Sequence, residues 1–173
     1  MDYRPFNDGT HCDVQSLTFH PNGNHFVAAA ADGIARVYDL RANRAAMFKT
    51  KQTYDNRPAT ARHNHNIQQH PILSTSFSAD ARFLYTSHAW EDQGNSPWCI
   101  WDAYTGDFIR SVEGHSDWIT SIASSQQLPP VLDGPTRAST SLDYCVTTSR
   151  DNGIKLWELE GTSYWTRERS GKV

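Results

Sequence analysis

The sequence predicts an all-β chain assembled from repeated four-stranded antiparallel units, and three observations carry that expectation. Residues 144–158, YCVTTSRDNGIKLWE, hold two β-rich runs, 144–148 and 154–157, around the polar turn Arg150-Asp151-Asn152-Gly153. Asn-Gly between such runs is a strong hairpin signal, because both residues accept the positive φ of a tight turn. The arrangement recurs near the start of the chain, where Asp32 opens a turn and Tyr38 stands as far beyond it as Trp157 beyond Asp151. Finally, 12% aromatic residues with six Trp, against 20% charged, favour sheets over a charged helical fold.

Taken in order, residues 1–10 are polar and read as a tail or as a strand of a neighbouring unit. Residues 14–19 form a first run, His20-Pro21-Asn22-Gly23 a turn, and 26–30 a second run. Ala31-Asp32-Gly33 then turns into 34–38, and 45–49 read as a fourth strand. Residues 50–70 have no apolar periodicity and are read as a long polar loop. The pattern restarts with runs at 72–77 and 83–87, passes a swollen turn at 88–97, and ends in Trp101-Asp102 before a fourth run at 108–112. A third copy opens at Gly114-His115, is interrupted by a Ser/Pro/Gln-rich loop at 124–141, and resumes in 144–158, with 163–169 as its last strand.

Gly-His, then Asp in a turn, then Trp followed by an acid resembles the signature of the WD-repeat (WD40) family. The aromatic-acid landmarks at 38, 101 and 157 lie farther apart than the roughly 40–45 residues usual for this repeat, and the three loops account for the excess. The resemblance implies WD40-type β-propeller blades of four antiparallel strands, 11–49, 72–113 and 114–169, with the polar loop at 50–71 and a tail at 170–173. It also implies a buried hydrogen-bonded set in the third blade: His115 reaching the turn Asp151, Ser149 as the strand hydroxyl, and Trp157 as the ring N–H donor. In the first blade Asp32 occupies the Asp position, with Ala30 in place of the Ser and Tyr38 in place of the Trp; His11 lies one residue short of the usual spacing. The second keeps Trp101 without a clear turn Asp or Gly-His, so both blades must lean on apolar packing. Closed rings hold about four to eight blades. Three are too few to close a ring alone, which predicts an open part of a propeller, a fragment of a longer product, or one piece of a ring completed by another chain.

The expected function is a non-catalytic scaffold binding protein or peptide partners within a multi-subunit complex. The residues opening the first strand and preceding the turn Asp reach the top face in this family. Here they are Asp117, Trp118 and Arg150, with Asp13 and Ala31 in the first blade. Trp90 in the swollen turn is a further candidate contact. An exposed Trp beside an Arg has the chemistry of interface hot spots. The alternative is a structural subunit of an RNA-processing or ribonucleoprotein particle, touching RNA through Arg57, Arg62, His63, Arg167, Arg169 and Lys172. A formal net charge of −3 and a pI near 6.2 argue against a chain-wide nucleic-acid footprint.

No catalytic, metal or cofactor site is predicted. Ser116, His115 and Asp117 are adjacent, so on a strand they point to opposite faces and cannot form a proton relay. His63, His65 and His70 match no closed zinc spacing. Cys12, Cys99 and Cys145 are an odd, scattered set of thiols, there is no N-glycosylation acceptor, and no apolar run is long enough to be a signal or to span a membrane. The expected setting is the cytoplasm or nucleus.

Overall fold

A computed structural model describes residues 12–41, 50–55, 70–89, 96–125, 142–160 and 166–172. Twelve strands form three four-stranded antiparallel sheets, each built from strands consecutive in sequence. The first holds β1 (Val14–Phe19), β2 (His25–Ala30), β3 (Ile34–Asp39) and β4 (Thr50–Asp55). The second holds β5 (Ile72–Phe77), β6 (Phe83–His88), β7 (Ser96–Asp102) and β8 (Phe108–His115). The third holds β9 (Ile119–Ser124), β10 (Leu142–Ser149), β11 (Gly153–Glu160) and β12 (Thr166–Lys172). These are the blades of an all-β propeller.

The repeat is visible residue by residue in the strand pairing. Phe26↔Tyr38, Leu84↔Trp101 and Cys145↔Trp157 are the same pair in successive blades. All three innermost pairings carry the same irregularity, between Val14 and Ser16, Ile72 and Ser74, and Ile119 and Ser121. Each blade is then tied at the same point by one backbone bond, Ala31 N–H to Asp13 C=O (2.9 Å), Ala89 to Pro71 (2.9 Å) and Arg150 to Trp118 (3.1 Å).

Two strands are displaced from the sequence expectation. The fourth strand of the first blade is Thr50–Asp55, within the stretch read as loop, and residues 45–49 lie outside the described residues. The last strand is Thr166–Lys172 rather than 163–169. Both are outermost strands, paired on one edge only. Such strands need no apolar alternation, so the period-two signal that marks inner strands is missing.

The core lies between blades rather than within any one of them. Val27, Ala29, Ala35 and Val37 of the first blade meet Ile72, Phe77, Leu84, Cys99 and Trp101 of the second. Tyr85, Trp98, Ile100 and Val112 of the second meet Ile119, Ile122, Cys145, Trp157 and Leu159 of the third. Burying each large apolar side chain contributes about 1.5–3 kcal/mol, so a blade holds its shape mainly through its neighbour. Polar links reinforce the same seams. Thr18 donates to the Thr75 carbonyl (2.8 Å), Ser76 and Ser124 share a bond of 2.9 Å, and the Tyr85 hydroxyl donates to Asp143 (2.7 Å).

Gly33 marks one close approach between blades. It holds φ +75°, and a Cβ there would stand 3.0 Å from the His70 carbonyl oxygen in the second blade. Gly23 has a similar φ of +70° with open space around it. Gly33→Ala is therefore expected to destabilise the chain by about 1–3 kcal/mol through left-handed strain plus the clash. Gly23→Ala should cost only the strain, and thermal midpoints measured side by side check the difference.

Candidate interaction site

The third blade positions its rim through two linked hydrogen-bond systems. In the first, Asp151 Oδ2 lies 2.8 Å from His115 Nδ1, His115 Nε2 lies 2.8 Å from Thr147 Oγ1, and Trp157 Nε1–H donates to Thr147 Oγ1 at 2.8 Å. Donor inventory fixes the direction of the chain. A carboxylate only accepts and an indole N–H only donates, so His115 Nδ1–H donates to Asp151. Thr147 Oγ1, which accepts the indole proton, shares the remaining bond with His115 Nε2. Every polar atom in this buried row has a partner, the condition under which such a network stabilises.

The strand hydroxyl of this set is Thr147, which corrects the expectation that Ser149 fills the role. Both side chains lie on the same face of β10, so alternation along the strand does not separate them. The pairing Cys145↔Trp157 does, since it brings the indole N–H over Thr147, two residues inward from Ser149. Ser149 instead accepts Asp151 N–H (3.1 Å) and donates to the Asp117 carbonyl (2.7 Å).

That second system holds the rim. Ser116 N–H donates to Asp151 Oδ2 (3.0 Å), the Asp117 carbonyl accepts from Ser149, and the Trp118 carbonyl accepts from Arg150 N–H (3.1 Å). Three consecutive residues before β9 are thus stitched to Ser149, Arg150 and Asp151 at the end of β10. On this frame the Arg150 guanidinium stacks 4.3 Å from the centroid of the half-buried Trp118 ring, a cation–π contact worth about 0.5–1 kcal/mol at an exposed site. The Asp117 carboxylate accepts Trp118 N–H at 2.6 Å. Burial raises the Asp151 carboxyl, but the hydrogen bonds from His115, Ser116 and Gly153 outweigh it and hold it below the ordinary carboxylate range.

The turn that opens this frame is more specific than its composition. Asn152 takes the left-handed conformation (φ 60°), the position Gly33 holds in the first blade. Gly153 is needed for room: a Cβ there would meet Asp151 Oδ1 at 2.7 Å, the oxygen that accepts Gly153 N–H.

His115 lies at the end of β8, paired with Ser96 of the second blade. The network of the third blade is therefore also a clasp between two blades. Both ring nitrogens of His115 are engaged, so the imidazole is not available to Ser116 as a base.

The other two blades use different chemistry at the same place. In the second, Trp101 Nε1–H donates to Thr86 Oγ1 (2.9 Å), which lies 2.8 Å from Nε2 of the fully buried His88. The second blade thus holds a hydrogen-bonded set although it has no clear turn Asp or Gly-His, since His88 supplies an imidazole from the strand itself. Burial lowers its pKa to about 3, with the charge of His70 adding to the effect and a hydrogen bond to the His70 backbone opposing it. In the first blade Ala28 stands where Thr147 and Thr86 stand, leaving no hydroxyl to bridge. Asp32 there accepts Ile34 N–H (3.0 Å) and pairs with the buried Arg36 at 2.6 Å, while Tyr38 stacks on Phe26.

Asp13 and Ala31 occupy, in the first blade, the places of Trp118 and Arg150, and Pro71 and Ala89 do so in the second. Thr147, Thr86, His88 and Arg36 went unrecognised in the sequence; only the pairing register singles out the two threonines. Trp90, Arg57, Arg62, His63 and His65 lie outside the described residues, whereas Arg167, Arg169 and Lys172 fall on β12.

Comparison with known proteins agrees with this geometry. The family described as "WD domain, G-beta repeat" matches residues 6–39 and 106–158, half of the chain. Relatives named guanine nucleotide-binding protein subunit beta are 28% identical in Saccharomyces cerevisiae, over 84% of this chain and 35% of theirs. In Schizosaccharomyces pombe the figures are 29%, over 79% of this chain and 33% of the relative. The chain thus spans about a third of the length of the curated relatives it matches. Among solved structures, U3-55K superposes with a TM-score of 0.62 at 16% identity, over 95% of this chain and 41% of that one. The RRP9 WD40 repeats give the same score and identity over 95% and 40%, a likeness of fold. With the same blade three times over and the complete His115–Thr147–Asp151–Trp157 set in the third, the chain belongs to the WD domain, G-beta repeat family.

Proposed function

We propose that this chain is a non-catalytic scaffold engaging protein or peptide partners within a multi-subunit assembly, in the cytoplasm or nucleus. The family to which it belongs is one of interaction scaffolds, and the relatives it matches are named as subunits. The observation that carries the reading is the rim of the third blade. Arg150 stacked on Trp118, with residues 116–118 bonded to residues 149–151, is a preorganised aromatic-cation pair. Rigid anchors of this type give up little conformational entropy on binding, and Trp and Arg lead the residues whose truncation costs interfaces most. Asp117 adds an acidic group beside it, which suits a partner segment carrying a basic side chain.

Trp118→Ala is expected to weaken capture of the partner by about 10–100-fold, the range of a 1.4–2.8 kcal/mol loss. Both Trp118 and Arg150 lie outside the buried row, so the variant should melt with the parent protein. Quantitative affinity capture of the full chain with Trp118→Ala and Arg150→Ala provides the test. Undiminished recovery of every partner by both variants would remove the rim from the function.

A further inference from the structure

The second blade is packed by a neighbour on each face, yet two of its aromatic side chains remain in solvent. Tyr104 is 71% exposed and Phe108 53% exposed. Both belong to the passage from β7 to β8, at the opposite end of the blade from the rim. The rim places of this blade, Pro71 and Ala89, lie where β5 opens and β6 closes. Because β7 runs antiparallel to β6, its close at Asp102 returns to the end where β6 begins. A bond from Ala103 N–H to the Arg82 carbonyl (2.8 Å) joins the two turns there. In the ladder Phe108 stands opposite Trp101. The same place holds Thr50 in the first blade, opposite Tyr38, and Glu168 in the third, opposite Trp157. An aromatic ring at this position is therefore particular to the second blade and is not a demand of the repeat.

The turn holds both rings in place. Asp102 Oδ1 accepts the N–H groups of Tyr104 and Thr105, each at 2.8 Å, and Thr105 Oγ1 accepts Asp107 N–H at 3.2 Å. Gly106 closes the loop at φ +80°, a left-handed geometry that glycine tolerates. The Phe108 ring meets Trp101 in a tilted, edge-on contact at 5.3 Å, and Trp101 is itself bonded to Thr86 in the core. The charge around the rings is of one sign. From Phe83 to Ile109 the sequence holds four acidic residues and no Lys or Arg. Asp107 is exposed beside Phe108. The N–H of Thr105, aided by that of Tyr104, outweighs burial and holds the Asp102 carboxyl below its ordinary range. Arg82, at the adjoining turn, already pairs with Asp80 at 2.6 Å.

We propose that Tyr104, Phe108 and Asp107 form a second docking surface, at the end of the blade opposite the rim, for a protein segment carrying Lys or Arg side chains. The face of each ring attracts a cation, and the neighbouring carboxylates supply the opposite charge that selects it. The apolar stem of a Lys or Arg covers ring surface while its head stays near Asp107. The same charge repels an acidic segment or a phosphate backbone. Anchors fixed before binding give up little conformational entropy when the partner arrives. The surface is separate from Trp118 and Arg150, so one chain can hold a partner at each end.

Fluorescence anisotropy tests it, with the full chain titrated into a labelled peptide of alternating Lys and Ser residues. A charge-reversed peptide of alternating Glu and Ser is the comparison. The Lys peptide should bind and the Glu peptide should not. Tyr104→Ala and Phe108→Ala should each weaken binding about 3–5-fold, the size of one solvent-exposed cation–π contact. Phe108→Ala also gives up the contact with Trp101, so Asp107→Lys supplies a variant that keeps both rings. It should weaken binding at least as much while melting with the parent protein, since Asp107 serves the turn through its backbone. Trp118→Ala, at the rim, should bind the Lys peptide as the parent does, which separates this surface from the rim. Failure of the Lys peptide to bind, equal binding of both peptides, or an affinity unchanged in Tyr104→Ala and Asp107→Lys would overturn the docking surface. So would a loss confined to Trp118→Ala.

Discussion

Thr147→Val is expected to destabilise the chain by about 2–4 kcal/mol, because it removes one hydroxyl from between two buried groups. The Trp157 indole N–H loses its acceptor and His115 Nε2 loses its partner, and each buried polar group left unpaired costs about 1–3 kcal/mol. The substitution preserves shape, so little of the loss comes from a cavity. For a chain of this length the thermal midpoint should fall by roughly 5–15 °C. Ser149→Ala removes two bonds at a half-buried site that water can reach, and should cost only about 1 kcal/mol. Since His115 closes β8 of the second blade, Thr147→Val should also speed amide hydrogen exchange where β8 passes into β9. A Ser149→Ala loss equal to that of Thr147→Val would refute the assignment of the network hydroxyl.

Acidification from pH 7.5 to 5 is expected to cost about 2 kcal/mol through His88 alone. Burial holds this imidazole neutral down to about 3 in the folded chain, from an ordinary 6.5. The unfolded chain therefore binds the proton first, and stability must rise with pH across that interval. The contribution is fully present above about pH 6.5 and is lost progressively toward about pH 3. At pH 5 the unfolded histidine is about 1.5 units below its midpoint, which at 1.36 kcal/mol per unit gives the figure above. Asp151, held below the usual carboxylate range, adds a loss of the same sign only as pH falls under about 4. His88→Gln keeps a group able to bond Thr86 but cannot take up the proton. It should flatten the decline in thermal midpoint between pH 6.5 and 4.5 while lowering stability at pH 7.5. An unaltered pH profile in that variant would exclude His88 as the source.

The residues that made the third blade legible are those whose role is local. Asp151, Asn152 and Gly153 declare a turn by their own backbone preferences, and His115 and Trp157 complete a pattern at characteristic distances along the chain. The first blade was legible because its Asp32-to-Tyr38 spacing repeats that pattern. The fourth strands at Thr50–Asp55 and Thr166–Lys172 were misplaced, since an edge strand between polar neighbours leaves no periodic trace. The network of the second blade was missed for a different reason. His88 lies in a stretch whose turn is longer than the repeat allows, and nothing in a linear reading says that an imidazole two residues beyond Thr86 bonds back to it inside the core.

The sequence by itself determined the fold class, the three repeats and the turn chemistry. Those follow from periodicity, propensity and spacing, which act over a few residues. Only the tertiary structure decided which hydroxyl joins His115 to Trp157, that His88 and Arg36 supply the partners the first two blades lack, and that the apolar core lies between blades. These depend on strand register and on the face each blade turns to the next. A shift of two residues leaves alternation along the strand intact and yet exchanges Thr147 for Ser149 beneath the Trp157 ring.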